Sequence, residues 1–303
     1  MTLSIAHLGP PGTYSEQAAI LYAELLASNS KQKTLLCPYP SIAQSLRAVA
    51  ENQVNLAVVP VENSIEGGVT MTLDAMWQLD SLHIQLALIM PIVHTLVSCA
   101  SSIQEIKTVY SHPQGLAQCQ KWLEQFLPNV QLIPINSTTE ALIGLREDIT
   151  AASISPQRGA QLYDLPILAY GINDYPENCT RFWVVSQGNL AIAEGSSYRN
   201  IAQPIIDNSS RYTSLAFTVP ANVPGALVKP LQVFAHLNIN LSRIESRPTK
   251  RSLGEYLFFV DLEADENRLP MQSALRELQG YTEVLKIFGC YQVLEINPPA
   301  MVK

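Results

Sequence analysis

Short apolar runs alternate with helix-patterned segments through the first 186 residues, and this alternation limits the possible folds more than any other feature of the chain. Leu3–Leu8 reads as a strand and Glu16–Ala27 as a helix. Ser41–Glu51 reads as a helix and Leu56–Val59 as a strand. The series continues with strand Thr108–Tyr110, helix Leu116–Phe126, strand Gln131–Ile135, helix Glu140–Arg146, strand Ala151–Ser153 and helix Pro156–Tyr163. Strands that feed helices build a mainly parallel sheet, because parallel neighbours need a long crossover between them. A long apolar stretch at 84–98 interrupts the series. It suits two small α/β lobes better than one large sheet.

From Gln187 to Arg211 the chain turns polar, with Gly195-Ser196-Ser197 and Asn208-Ser209-Ser210, which is the composition of a linker. Beyond it, segments at 213–219, 226–237, 240–247, 254–262, 268–279 and 283–291 follow the order strand, helix, strand, strand, helix, strand. That βαββαβ order is a ferredoxin-like unit. The expected organisation is an α/β region over 3–186, a linker over 187–211 and a second domain over 212–292.

Composition narrows the function classes. Of 303 residues, 47% are hydrophobic and 15% charged, which supplies packed cores. A net charge of −7 disfavours nucleic acid as the main partner, since phosphate binding needs a basic surface. The basic cluster Arg243, Arg247, Lys250 and Arg251 reads as a solvated loop. Five scattered cysteines with no CxxC spacing fit a reducing compartment, and five scattered histidines suggest no metal site. Leu86–Ala100 is broken by Pro91 and His94 and is shorter than the roughly 20 residues of a membrane span. Met1–His7 lacks the basic and apolar regions of a signal peptide. A cytoplasmic protein without membrane contact is therefore expected.

Helix starts are the most informative local feature. Thr13-Tyr14-Ser15-Glu16, Ser111-His112-Pro113-Gln114 and Ser137-Thr138-Thr139-Glu140 each have the capping-box form S/T-x-x-E/Q after a strand. Ser155-Pro156 adds an N-cap followed by proline at the first helical position. Such starts present free N–H groups and a positive dipole end, and several converging would seat a small anion. Their ordinary use is only to stabilise a helix, by about 1 kcal/mol. Pro60-Val61-Glu62-Asn63-Ser64-Ile65-Glu66-Gly67-Gly68 places polar side chains and two glycines at a strand end. Asn178-Cys179-Thr180-Arg181-Phe182 sets an Arg beside a hydroxyl at a strand entry, a pairing able to hold a carboxylate and exchange a proton. Gly9 and Gly12 form neither a dinucleotide fingerprint nor a P-loop.

Together these motifs resemble the prephenate dehydratase family. Leu8-Gly9-Pro10-Pro11-Gly12-Thr13-Tyr14-Ser15 is similar to its opening signature, and Pro60–Ser64 with Gly67 or Gly68 to its second. Ser111–Gln114 with Gln118-Cys119, Ser137-Thr138 and Asn178–Phe182 are similar to the rest of its catalytic set. In the second domain, Gly225-Ala226-Leu227-Val228 and Glu245-Ser246-Arg247-Pro248 resemble the two effector motifs of the family's ACT domain. The resemblance runs from about residue 3 to 292. The chain departs from the family at Ser153-Ile154-Ser155-Pro156, where relatives read like Ala-Ser, and at Ala87, where they often carry Glu. The 187–211 linker is also longer than usual. No helical chorismate mutase segment precedes Met1, so a fused enzyme is not expected.

The resemblance implies a two-lobed, periplasmic-binding-protein-like catalytic domain followed by the ferredoxin-like ACT domain. It implies decarboxylating dehydration of prephenate to phenylpyruvate, with no cofactor because aromatisation supplies the driving force. Thr180 would be the essential hydroxyl, with Asn63, Ser111 and Gln118 as its catalytic partners. Thr13, Tyr14, Ser15, Glu62, Ser64, Gln114, Ser137, Thr138, Arg181 and Phe182 would bind substrate, with Arg181 and the helix starts meeting its carboxylates. Asn222, Gly225, Ala226, Leu227, Val228, Leu241, Glu245, Ser246, Arg247 and Pro248 would bind phenylalanine between two ACT domains of a homodimer or homotetramer. His112, Cys119 and Cys179 are read as structural. Three alternatives stay open: an arogenate dehydratase, a solute-binding protein, and an amino-acid sensor without catalysis.

Overall fold

The computed structural model describes residues 2–30, 33–135, 138–188 and 211–297. The first lobe opens with β1 (Thr2–Leu8), α1 (Tyr14–Ser30), β2 (Lys33–Tyr39), α2 (Ile42–Ala50), β3 (Leu56–Asn63), the two-residue β4 (Gly67–Gly68), α3 (Thr70–Gln78) and β5 (Leu82–Pro91). The chain then crosses to a second lobe of β6 (His94–Val97), β7 (Thr108–Ser111), α4 (Pro113–Ala117), α5 (Gln120–Phe126), β8 (Gln131–Pro134), α6 (Thr138–Gly144), β9 (Ala151–Pro156), α7 (Gln157–Leu162) and β10 (Ile167–Tyr170). It returns to the first lobe through β11 (Cys179–Gln187). The expected Leu116–Phe126 helix is split after Ala117, and β2 and β10 add strands that the apolar pattern did not mark.

Each lobe is a mixed sheet. In the first, β2, β1 and β3 are parallel while β11 runs antiparallel between β3 and β5. In the second, β8, β7 and β9 are parallel and β6 runs antiparallel between β9 and β10. Alternation along β3 and β11 explains their burial on both faces. Leu56, Val58, Phe182 and Val184 pack with Ala18, Ala19, Tyr22 and Leu26 of α1. Ala57, Val59, Trp183 and Val185 pack on the opposite side with Leu46 and Val49 of α2 and Leu73 and Met76 of α3.

The last domain is β12 (Arg211–Thr218), α8 (Val228–His236), β13 (Leu241–Pro248), β14 (Tyr256–Leu262), α9 (Leu269–Leu278) and β15 (Val284–Glu295). The strand order β13-β14-β12-β15, all antiparallel, is that of the expected ferredoxin-like unit. Its helices cover one sheet face, over Leu215, Phe217, Val260 and Leu262. The other face does not meet solvent. Ala216, Leu257, Phe259, Phe288 and Tyr291 share a core with α2, α3 and Trp183. The end of β15, Gln292–Glu295, also pairs with Leu86–Ile89 of β5, so both domains belong to one ten-stranded sheet. The expected linker lies outside the described residues, apart from Gln187, Gly188 and Arg211. No described helix is long and apolar enough to cross a membrane.

Candidate active site

A cleft of 770 Å³ lies between the two lobes. It is bounded by the C-terminal ends of β1, β3, β7 and β9, where open α/β sheets place ligands. Because β11 is antiparallel to β3, its first residues face the end of β3. Thr180 is thereby paired with Asn63 in register, at the return crossover between lobes.

One irregularity decides which side chains enter the cleft. Phe182 pairs with Pro60 and Arg181 with Glu62, so Val61 is an extra residue on β3. Such a bulge reverses the alternation of everything after it. Val59 and Val61 face α2 and α3. Past the bulge, Asn63 lines the cleft beside Pro60, Thr180 and Phe182, while Glu62 turns towards the last domain.

Hydrogen bonds around Asn63 have fixed directions. Its Oδ1 accepts the N–H groups of Ile65 at 3.0 Å and Glu66 at 3.1 Å, so its Nδ2 must be the donor on the other side. Nδ2 donates to Thr180 Oγ1 at 2.9 Å and to Asn178 Oδ1 at 2.9 Å. Thr180 Oγ1 is therefore an acceptor from Asn63, and its own proton remains available to the cleft. Asn178 Nδ2 donates onward to Gln118 Oε1 at 3.0 Å, and Gln118 Nε2 to Glu66 Oε1 at 3.2 Å. Gln118 Oε1 also meets His94 Nε2 at 2.9 Å, which assigns the proton to that nitrogen. His94 Nδ1 then faces the Tyr14 hydroxyl at 2.9 Å. Burial lowers the His94 pKa, favouring this neutral ring.

The helix starts differ in detail from the capping boxes read in the sequence. At α1, Thr13 Oγ1 accepts the Glu16 N–H as expected, but the Glu16 carboxylate takes the N–H of Gly12 at 2.8 Å and bonds Arg158 Nε across the lobes at 3.1 Å. At α4 the cap is His112, whose Nδ1 accepts the Gln114 N–H, because Ser111 is still in β7 and donates its hydroxyl to Ile154 O at 2.8 Å. At α7 the N-cap is Pro156, with no side-chain cap bond, and Ser155 belongs to β9.

Thr13, Tyr14, Ser15, Asn63, Ser111, Gln114, Gln118, Thr180 and Phe182 are all brought to the cleft. Ser64 is not among its lining residues; it ties the β3 end to the crossover by accepting the Cys179 N–H and donating to Asn178. Ser137 lies outside the described residues, as does the side chain of Thr138. Two expectations are corrected. Arg181 and Glu62 do not point into the cleft, because strand alternation and the Val61 bulge send both to the opposite face. Arg181 Nη1 donates to Asp261 Oδ2 at 3.1 Å, and its Nη2 lies 3.6 Å from Glu62. The described lining residues include no Lys or Arg, and Glu66 is their one carboxylate.

Anion recognition therefore falls to N–H and O–H groups. Tyr14 and Ser15 open the long helix α1, and their N–H groups have no intrahelical acceptor. Thr70 and Met71 open α3 behind Val69, which provides no side-chain cap. Pattern reading had left His94, Asn178 and Glu66 without roles. The signal for His94 was present, as a polar residue inside a buried apolar stretch. Burial pushes the Cys119 thiol up to about 12, which keeps it protonated.

The expected effector residues scatter. Asn222 lines a 230 Å³ pocket with Thr218, Arg251, Glu255 and Tyr256. Gly225, at φ +81°, makes the turn into α8 that carries Ala226, Leu227 and Val228. Ser246 and Pro248 are exposed on β13. Leu241 packs against the domain core, because a register shift between Leu241 and Arg243 breaks the alternation, and beyond it Glu245 and Arg247 share the face that meets the catalytic region. The expected solvated loop holds for Lys250 and Arg251, which are exposed beyond β13, but not for Arg243 and Arg247, which lie in β13 and are covered. Arg243 pairs with Glu245 and Asp261, Arg247 and Lys250 with Asp74, and Arg251 with Glu283. Ala87 is wholly buried opposite Trp183.

Comparison with known proteins matches residues 5–189 to the prephenate dehydratase family and residues 213–280 to the ACT domain. The bifunctional chorismate mutase/prephenate dehydratase of Aquifex aeolicus is 37% identical over 95% of this chain and 73% of its own length. The prephenate dehydratase of Lactococcus lactis subsp. cremoris is 33% identical over 97% of this chain and 99% of its own. Among solved structures, prephenate dehydratase from Arthrobacter aurescens in complex with L-Phe is similar at TM-score 0.80 and 31% identity, covering 96% of this chain and 90% of that one.

Proposed function

The chain belongs to the prephenate dehydratase family, and from that membership we propose that it converts prephenate to phenylpyruvate under control of phenylalanine. The observation that carries the assignment to this cleft is the locked Asn63 amide, which makes Thr180 Oγ1 an acceptor and leaves its proton available to the cavity that Thr180 lines.

The reaction breaks two bonds on one ring. The ring carboxylate leaves as carbon dioxide, and its bonding pair enters the ring. The hydroxyl at the opposite ring position leaves with its own pair, takes up one proton and becomes water. The ring is then aromatic, so no redox partner is required. Hydroxide is a poor leaving group, and the demand on the protein is a donor at that oxygen. Thr180 is a weak acid, so it keeps its proton and acts as a preorganised hydrogen-bond donor to the developing hydroxide, which takes the proton that makes it water from solvent. The substrate carboxylates meet the open starts of α1 and α3. Apolar walls from Ile92, Ile154 and Phe182 exclude water from the ring.

Phenylalanine binds the ACT domain, as L-Phe is bound in the similar Arthrobacter aurescens protein. The pocket around Asn222 is its candidate seat. Strand β13 is one of the two end strands in the order of the ten-stranded sheet, among the described residues, and Val223, Val228, Ile244 and Leu253 are exposed on the same domain, which supports assembly of copies through it. Five free cysteines among the described residues suit a cytoplasmic setting.

The test is turnover of prephenate by the parent, Thr180→Val and Thr180→Ser proteins. Valine removes the donor while keeping the shape, and kcat should fall by about 10²–10⁴-fold with little change in KM. Serine should retain most of the activity. Parent-like turnover by Thr180→Val would remove Thr180 from the chemistry.

A further inference from the structure

Strand β13 carries the Glu245–Pro248 sequence, yet its side chains divide between two faces. Arg243, Glu245 and Arg247 leave the strand on one side, Ser246 and Pro248 on the other. All three charged residues end on the catalytic region. Arg243 Nη2 donates to Glu245 at 2.7 Å, its Nη1 lies 3.5 Å from Asp261 and its Nε 3.8 Å from Glu62. Arg181 reaches the same two carboxylates, Asp261 and Glu62, from the other side. Arg247 grips Asp74 of α3 with Nε and Nη2, each at 3.2 Å. The Glu245 carboxylate packs on Gly68 of β4, where a Cβ would collide with it. Gly68 and the first turn of α3 are both walls of the cleft.

The register makes this cluster more than adhesion. Arg181 pairs with Glu62, and the next pair along the same ladder is Thr180 with Asn63. A shift of the first pair is passed through the backbone to the second, whose 2.9 Å hydrogen bond weakens with a few tenths of an ångström of displacement. Asp261 is 1% exposed and Arg243 8%. Ions so buried add little net stability, because desolvation offsets their attraction, but their fixed partners specify one arrangement.

We propose that Arg181 and Glu62 are positioning residues for Thr180 and Asn63, and that Arg243, Glu245 and Arg247 on β13 are the surface through which the regulatory domain sets them. The proposal rests on the function given above and adds the route of its control. Effector binding that displaces β13 pulls on the cluster and on Gly68 together, and so changes the geometry of the Thr180–Asn63 pair.

Glu245→Gln keeps the shape and removes one charge of the cluster. In the parent protein, L-phenylalanine should change hydrogen exchange in the peptides carrying residues 60–68 and 179–186. In Glu245→Gln, calorimetry should find phenylalanine bound within about threefold of the parent affinity, while that exchange response and the effect on kcat/KM shrink to below about twofold. A parent that binds phenylalanine with no exchange response in those peptides overturns the proposal. So does a variant that keeps the full response, or one that loses phenylalanine binding itself. The binding and exchange outcomes are read without turnover, so failure of the parent to act on prephenate would count separately, against the function. Arg181→Lys keeps the charge and loses the fork. A positioning role lowers kcat with KM within about twofold, whereas a substrate-binding role raises KM and would overturn the assignment.

Discussion

At the scale of single residues, the site depends on which way amides point. Asn63 has its oxygen committed to two backbone N–H groups, and everything from Thr180 to His94 follows from that. Asn63→Asp changes one atom type and reverses the logic. The second carboxylate oxygen can only accept, so it draws the Thr180 proton away from the leaving group. It also faces Asn178 Oδ1, where a donor stood before. Steady-state kinetics should show kcat lower by about 10²-fold or more, as when a preorganised donor is lost. Urea titration should show a loss of about 1–3 kcal/mol from the broken buried bonds. Unchanged kcat would mean that Thr180 does not need Asn63 as its donor. The residue types at this site were legible in the sequence, since Thr180, Asn63 and Gln118 stand in motifs. The proton directions were not: the turn at Ile65 and Glu66 that fixes the Asn63 amide is local, but Asn178 and Thr180 meet that amide only through the return crossover between lobes.

At the scale of elements, strand parity decides function, and two irregularities set it. The Val61 bulge puts Asn63 rather than Glu62 into the cleft. Apolar alternation along β3 gives no warning of it, since an extra residue looks like any other in a valine-rich run. The second irregularity is on β15, where Gly289 adopts φ +140° beside β5 and a Cβ would lie 2.7 Å from Ile84 O. Only glycine lets β15 pass that close before it pairs with Leu86–Ile89. Gly289→Ala must push the two strands apart, and urea denaturation should register a loss of about 1–3 kcal/mol. A variant as stable as the parent would show that the strand crossing tolerates a side chain.

At the scale of the whole molecule, the regulatory domain is built into the first lobe. It shares a sheet through β15 and a core through Phe259, Phe288 and Tyr291. Native-state hydrogen exchange in rising urea should therefore release the amides of β3, β11, β12 and β15 at one common free energy. Two distinct values would divide the sheet into separate cooperative units. By itself the sequence determined most of the elements and their order, though not β2 or β10, together with the two lobes and the βαββαβ unit, because hydrophobic period and turn residues are local properties of the chain. It also supplied the residue types of the site, because motif chemistry survives in one dimension. Tertiary structure alone decided that Arg181 and Glu62 face the regulatory domain, that Glu245 and Arg247 face the cleft walls, and that two domains share one sheet. Those outcomes depend on a bulge, a register and a close backbone approach, each of which exists only when distant strands are paired.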